Sequence, residues 1–152
     1  MTTALSLAGA GLALAGNGPQ PLPGQLPGPP PVRVEIRGQS ARAGAGSSCW
    51  STGMDDGTSR TVCADVAGPI TGPTLPARGK RMVHIDMGAP TLRLTAGLPG
   101  KRFRDPWPTD PTRRHWIVRL PRRLERSSVL SLGGSFSQGE VPYAVTLRRS
   151  RG

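Results

Sequence analysis

A chain of 152 residues has room for one domain of ordinary size. Lys and Arg total 20 against 9 Asp and Glu, a formal charge of +11 carried almost wholly by arginine, since only Lys80 and Lys101 are lysines. That balance points to anionic partners and away from basic ones, although a genome biased toward Arg, Ala, Gly and Pro would give the same excess.

Residues 1–16 hold a short apolar run rich in Ala, Leu and Gly that leads into Asn17-Gly18-Pro19. The run reads as the apolar centre of a signal peptide, and Ala13-Leu14-Ala15 supplies a small-x-small pattern for cleavage near Ala15. No Lys or Arg precedes it, so the usual basic flank is missing. The run is too short to span a bilayer, which predicts no stable transmembrane anchor. Export would make the location secreted or cell-envelope.

Residues 17–31 alternate proline with glycine and glutamine, a composition that opposes helix and sheet ladders and predicts an extended spacer. The folded domain is expected over residues 32–152.

From Val32 onward apolar and polar residues alternate with period two. Val32, Val34 and Ile36 are expected to face inward against Arg33, Glu35 and Arg37. Val83, Ile85 and Met87 oppose Met82, His84 and Asp86 in the same way, and Leu92 and Leu94 leave Arg93 exposed. Trp116, Val118 and Leu120 alternate with His115, Ile117 and Arg119. Tyr143, Val145 and Leu147 alternate with Ala144, Thr146 and Arg148. With stretches near residues 61–66 and 128–135, this gives about seven strands and no helical stripe, which fits an all-β, single antiparallel β-sandwich.

The two cysteines suit one hairpin. Pairing Cys49 directly with Cys63 leaves Asp55-Asp56-Gly57 as a three-residue loop with Gly57 left-handed. Trp50 then lies opposite Val62, and Trp50, Val62, Ala64 and Val66 are expected to enter the core. A directly opposed pair closes a disulfide without backbone movement, contributing roughly 3 kcal/mol in the chain-entropy model. Without histidines at ligand spacing, a metal pair is disfavoured. Antibody-type domains place their cysteines far apart and in the core, so the sandwich is immunoglobulin-like in architecture only.

Catalytic signals are sparse. His84 and Asp86 share the outward face of one strand and could orient one another, but no G-x-S-x-G elbow supplies a nucleophile. His115 reads as a strand-edge residue. Asp55 and Asp56 lack the spaced oxygens of a calcium loop and read as turn formers. Gly133-Gly134 is expected to mark a bulge or bend. Neither a metal nor another cofactor is indicated.

The best candidate site is the connection over residues 101–114, which carries Arg102, Phe103, Arg104, Trp107, Arg113 and Arg114. Guanidinium groups there would hold an anion through paired hydrogen bonds, with the aromatic rings as flat faces. The competing account has Trp107 packing on Pro106 and Pro108 to plug one end of the sandwich. Arg119, Arg122, Arg123 and Arg126 form a second cluster, which would complete a positive rim if both lay at one end. The function expected is a non-enzymatic exported binding domain for an anionic cell-envelope polymer or an acidic protein surface. The alternative is an extracellular hydrolase near His84 and Asp86. A nucleic-acid-binding role finds no recognition helix, zinc-finger spacing or stacking platform.

Overall fold

The computed structural model describes residues 18–77, 81–101 and 104–149. Residues 1–16, on which the signal-peptide expectation rests, lie outside the described residues, as do Arg102 and Phe103. The described chain is all-β.

Its strands are β1 (Arg33–Ile36), β2 (Gln39–Arg42), β3 (Gly44–Ala45), β4 (Ser48–Gly53), β5 (Ser59–Ala64) and β6 (Thr74–Pro76). They continue with β7 (Met82–Asp86), β8 (Arg93–Gly97), β9 (Trp107–Pro108), β10 (His115–Arg119), β11 (Ser127–Phe136) and β12 (Gly139–Arg148). One sheet runs β2-β1-β7-β10-β9 and the other β3-β12-β11-β8, with the β4-β5 hairpin alongside. All pairings are antiparallel except β6 with β12, which is parallel.

Alternation builds the core. Val34, Ile36, Val83, Ile85, Trp116 and Val118 from the first sheet meet Leu130, Leu132, Tyr143, Val145 and Leu147 from the second, all buried. His84 and Arg93 are exposed, as the inward set requires. Arg37 and Gly38 both adopt positive φ, 56° and 76°, which gives the two-residue β1-β2 connection the left-handed backbone that a tight hairpin needs.

The cysteine hairpin has the register read from the sequence: Cys49 pairs with Cys63, Trp50 with Val62 and Ser51 with Thr61. The sulfurs are bonded, with the Cα atoms 4.0 Å apart. Gly57 takes φ 81°, and Asp56 accepts the Thr58 amide and hydroxyl, which locks the turn.

Several expectations need correction. Only Trp50 of the hairpin set enters the core, where its ring meets Phe136 edge-on at 5.3 Å; Val62 is 45% exposed, Val66 41% exposed, and Ala64 is exposed too. The physical reason is that β5 pairs with β4 alone and no layer covers it. Leu92 is 62% exposed because it precedes β8 and its backbone bonds Ser135. Gly133 and Gly134 keep unbroken register with Pro142 and Val141, so they make no bulge. They provide close approach instead: a Cβ on Gly133 would lie 2.5 Å from Thr95 Oγ1, and one on Gly134 would lie 2.6 Å from Met87 Cε.

The proline-rich stretch is docked where a free spacer was expected. The Leu26 carbonyl accepts bonds from Trp50 Nε1, Thr52 Oγ1 and Gln138 Nε2. Pro30 accepts the buried Tyr143 hydroxyl at 2.9 Å. A backbone without its own ladder is satisfied here by side chains of the sandwich.

Candidate functional site

The outward face of the first sheet is a grid set by register. One row reads Arg42, Arg33, Asp86 and His115, and the next reads Ser40, Glu35, His84, Ile117 and Trp107. A cleft of about 400 Å³ opens on this face, lined by Arg33, Glu35, His84, Asp86, Thr109 and His115 among others.

At one side of the cleft the charges are locked together. Arg114 grips Asp86 with both prongs, Nε to Oδ1 at 2.9 Å and Nη2 to Oδ2 at 3.2 Å, and the Gly88 amide also donates to Oδ1. The guanidinium bond, followed by the Gly88 amide, holds the Asp86 carboxyl below its ordinary value against the opposing effect of burial. His115 Nδ1 lies 2.7 Å from Asp110 Oδ2, and its Nε2 lies 3.8 Å from Asp86 Oδ2. Asp110 also accepts the Arg114 amide at 3.0 Å, and the His115 bond leads the effects that depress its carboxyl. His115 is therefore fixed between two carboxylates.

Of the six candidate residues of the 101–114 connection, Arg102 and Phe103 lie outside the described residues, and the four described ones are spread apart. Arg114 is committed to Asp86, and Arg113 Nη1 donates to the Leu92 carbonyl while its own carbonyl accepts Trp116 Nε1 at 2.7 Å. Arg104 is exposed. Trp107 is half-buried in β9, paired across from Ile117 on the sheet face, so it neither projects freely nor plugs an end of the sandwich. Its antiparallel strand runs from the Arg119 end of β10 toward His115, which separates Arg104 from Arg113 and Arg114.

The single positive rim is likewise corrected. Arg113 and Arg114 precede β10, whereas Arg119, Arg122, Arg123 and Arg126 lie at or beyond its far end, and five strand residues span about 13 Å. The second cluster gains other neighbours. Leu120 bonds Arg81, Arg149 bonds Arg126, and Ala77 bonds Arg148 through their backbones, while Ser127 pairs with Arg148. These links gather Arg81, Arg119, Arg122, Arg123, Arg126, Arg148 and Arg149 at one pole, with Glu125 among them. Among the described residues, ion pairs join Asp86, Asp110, Arg114 and His115, and none involves the seven arginines of this pole.

Sequence reasoning missed the Asp110-His115-Asp86 arrangement and paired the wrong histidine with Asp86. The available signal was register: inward Ile85 and Trp116 become partners when β7 and β10 align, which sets His115 opposite Asp86. Among the described residues, no group of His, Cys, Asp and Glu is placed to hold a metal ion, and no helix is long and apolar enough to cross a membrane. No family model, curated protein or solved structure matches the chain.

Proposed function

We propose that this chain is an exported, non-catalytic binding domain whose arginine pole engages an anionic cell-envelope polymer. The observation that carries the reading is the convergence of seven arginines without ion-pair partners among the described residues. Guanidinium groups of this kind make bidentate bonds to carboxylate or phosphate, and their summed field concentrates a polyanion. The Cys49–Cys63 bond supports an oxidising, extracytoplasmic compartment. The hydrolase alternative gains no support from the cleft, where Asp86 is held by Arg114 and His115 Nε2 faces a carboxylate in place of a nucleophile.

Titration with heparin, teichoic acid and DNA over a range of salt concentrations tests this. Teichoic acid is expected to bind saturably with a steep salt dependence, and the double variant Arg122→Glu/Arg123→Glu to weaken it by roughly tenfold or more. Binding that ignores the double variant overturns the reading. Equal binding to all three polymers reduces it to generic charge, and saturable preference for DNA or for an acidic protein transfers it to that partner.

A further inference from the structure

Arg33 and Arg42 are direct cross-strand partners on the outward face of β1 and β2. Like charges placed opposite one another destabilise an antiparallel pair unless an anion lies between them. Arg33 spends one nitrogen on Ser40 Oγ at 3.1 Å, the carboxylate of its other cross-strand neighbour Asp86 is bonded to Arg114, and neither arginine forms an ion pair among the described residues. In the neighbouring row Glu35 pairs with His84, His84 with Ile117, and Ile117 with Trp107. Neither the Glu35 nor the His84 side chain forms a hydrogen bond among the described residues, whereas Asp86, Arg114, Asp110 and the Nδ1 of His115 beside them are bonded within their own cluster. The cleft thus has a rigid wall and an open set of recognition groups on one face.

We propose that this cleft binds an acidic sugar, a hexuronate unit of a glycan. At the edge of the cleft Arg33, with its cross-strand neighbour Arg42, accepts the carboxylate, and Glu35 and His84 in the lining take ring hydroxyls. Ile117 with the half-buried Trp107, next in the His84 row and outside the cleft lining, forms an apolar shoulder for an adjoining ring. Adjacent strands lie about 4.8 Å apart, so successive side chains of one row reach successive positions along a saccharide. The Glu35 carboxylate in the lining repels a doubly charged phosphate monoester more than a singly charged carboxylate, which favours a hexuronate. The volume is that of a small-ligand site. The cleft is a different surface from the arginine pole, and neither claim depends on the other.

Short probes separate the two surfaces, because a trisaccharide is too small to gain polyelectrolyte affinity. Calorimetry with oligogalacturonate and oligomannuronate trimers and a hyaluronan tetrasaccharide, alongside the neutral trisaccharide maltotriose and inorganic phosphate, is the direct measurement. At least one uronate is expected to bind saturably, roughly tenfold or more weaker in Arg33→Gln and in Glu35→Gln, and unchanged in Arg122→Glu/Arg123→Glu. All four substituted side chains are exposed, so the variants are expected to fold. Absence of binding by every uronate overturns the site, as does equal binding of maltotriose or phosphate. Affinity that follows the arginine-pole variant instead assigns the sugar to the pole.

Discussion

Asp86 sits where three kinds of stabilisation meet: a forked guanidinium, a backbone amide and a nearby imidazole. A carboxyl whose folded value is depressed stabilises the fold above the unfolded value and loses that contribution as pH falls through the folded one. For Asp86 and Asp110 both lie below the ordinary 3.8, so the contribution is complete at neutral pH and disappears in the acid range beneath it. Asp86→Asn is therefore expected to lower stability at pH 7 by roughly 1 kcal/mol, a value kept small because the pair is partly exposed. Denaturant titration should show the gap between variant and parent narrowing as pH falls below the ordinary carboxyl value of 3.8. A gap that persists there would assign the loss to packing. Tyr143 is the buried counterpart: desolvation pushes its hydroxyl above the usual phenol range, and it remains a neutral donor to Pro30. Alternation predicted that Tyr143 and Trp116 are buried, but not which carbonyls their polar tips reach, since those lie 113 and 3 residues away respectively.

At the scale of the element, what the sequence made legible depended on length. Strands of five residues or more such as β7, β10 and β11 announce themselves by every-other-residue burial, and the cysteine spacing fixed the β4-β5 register. β12 follows the same alternation except at Ala144, which was expected to face outward and is buried between Tyr143 and Val145. The two-residue strands β3 and β9 are too short to show a period, so Trp107 could be assigned to a loop although it belongs to a sheet. The error at Val62 and Val66 had another source: alternation says which residues share a face, and says nothing of whether another layer covers that face. The hairpin's two strands are accordingly unequal. The first is anchored by Trp50 and by the Ser51 amide on the Gln138 carbonyl, whereas β5 depends on its ladder, the disulfide and the nearby Ser47 hydroxyl bonded to Val66. Cys49→Ser/Cys63→Ser is thus expected to raise amide exchange across residues 59–64 first. The global loss is at most about 3 kcal/mol, because fraying of β5 leaves the sandwich core in place. Exchange rising equally in β11 and β12 would show that the hairpin and the sandwich unfold as one unit.

For the whole molecule, the decisive feature is the unequal distribution of charge. The carboxylates of Asp86 and Asp110 are spent near the start of β10, while arginines gather beyond its other end. Seven guanidinium groups fixed at one pole repel one another, and the fold bears that cost through backbone bonds such as Arg149 to Arg126 and Leu120 to Arg81. Two levers follow from the same field. Screening by salt reduces the repulsion, and an anion bound to the folded pole but not to the unfolded chain stabilises by mass action. Thermal unfolding of the parent is therefore expected to rise with added salt, and further with teichoic acid at constant ionic strength. Arg122→Glu/Arg123→Glu should start from a higher Tm at low salt, because two repelling charges have become attractive ones, and should lose most of both increments. A double variant that melts lower at low salt, or gains as much from the polymer as the parent does, would mean that these arginines are paired in solution and that the pole exerts no field on a partner.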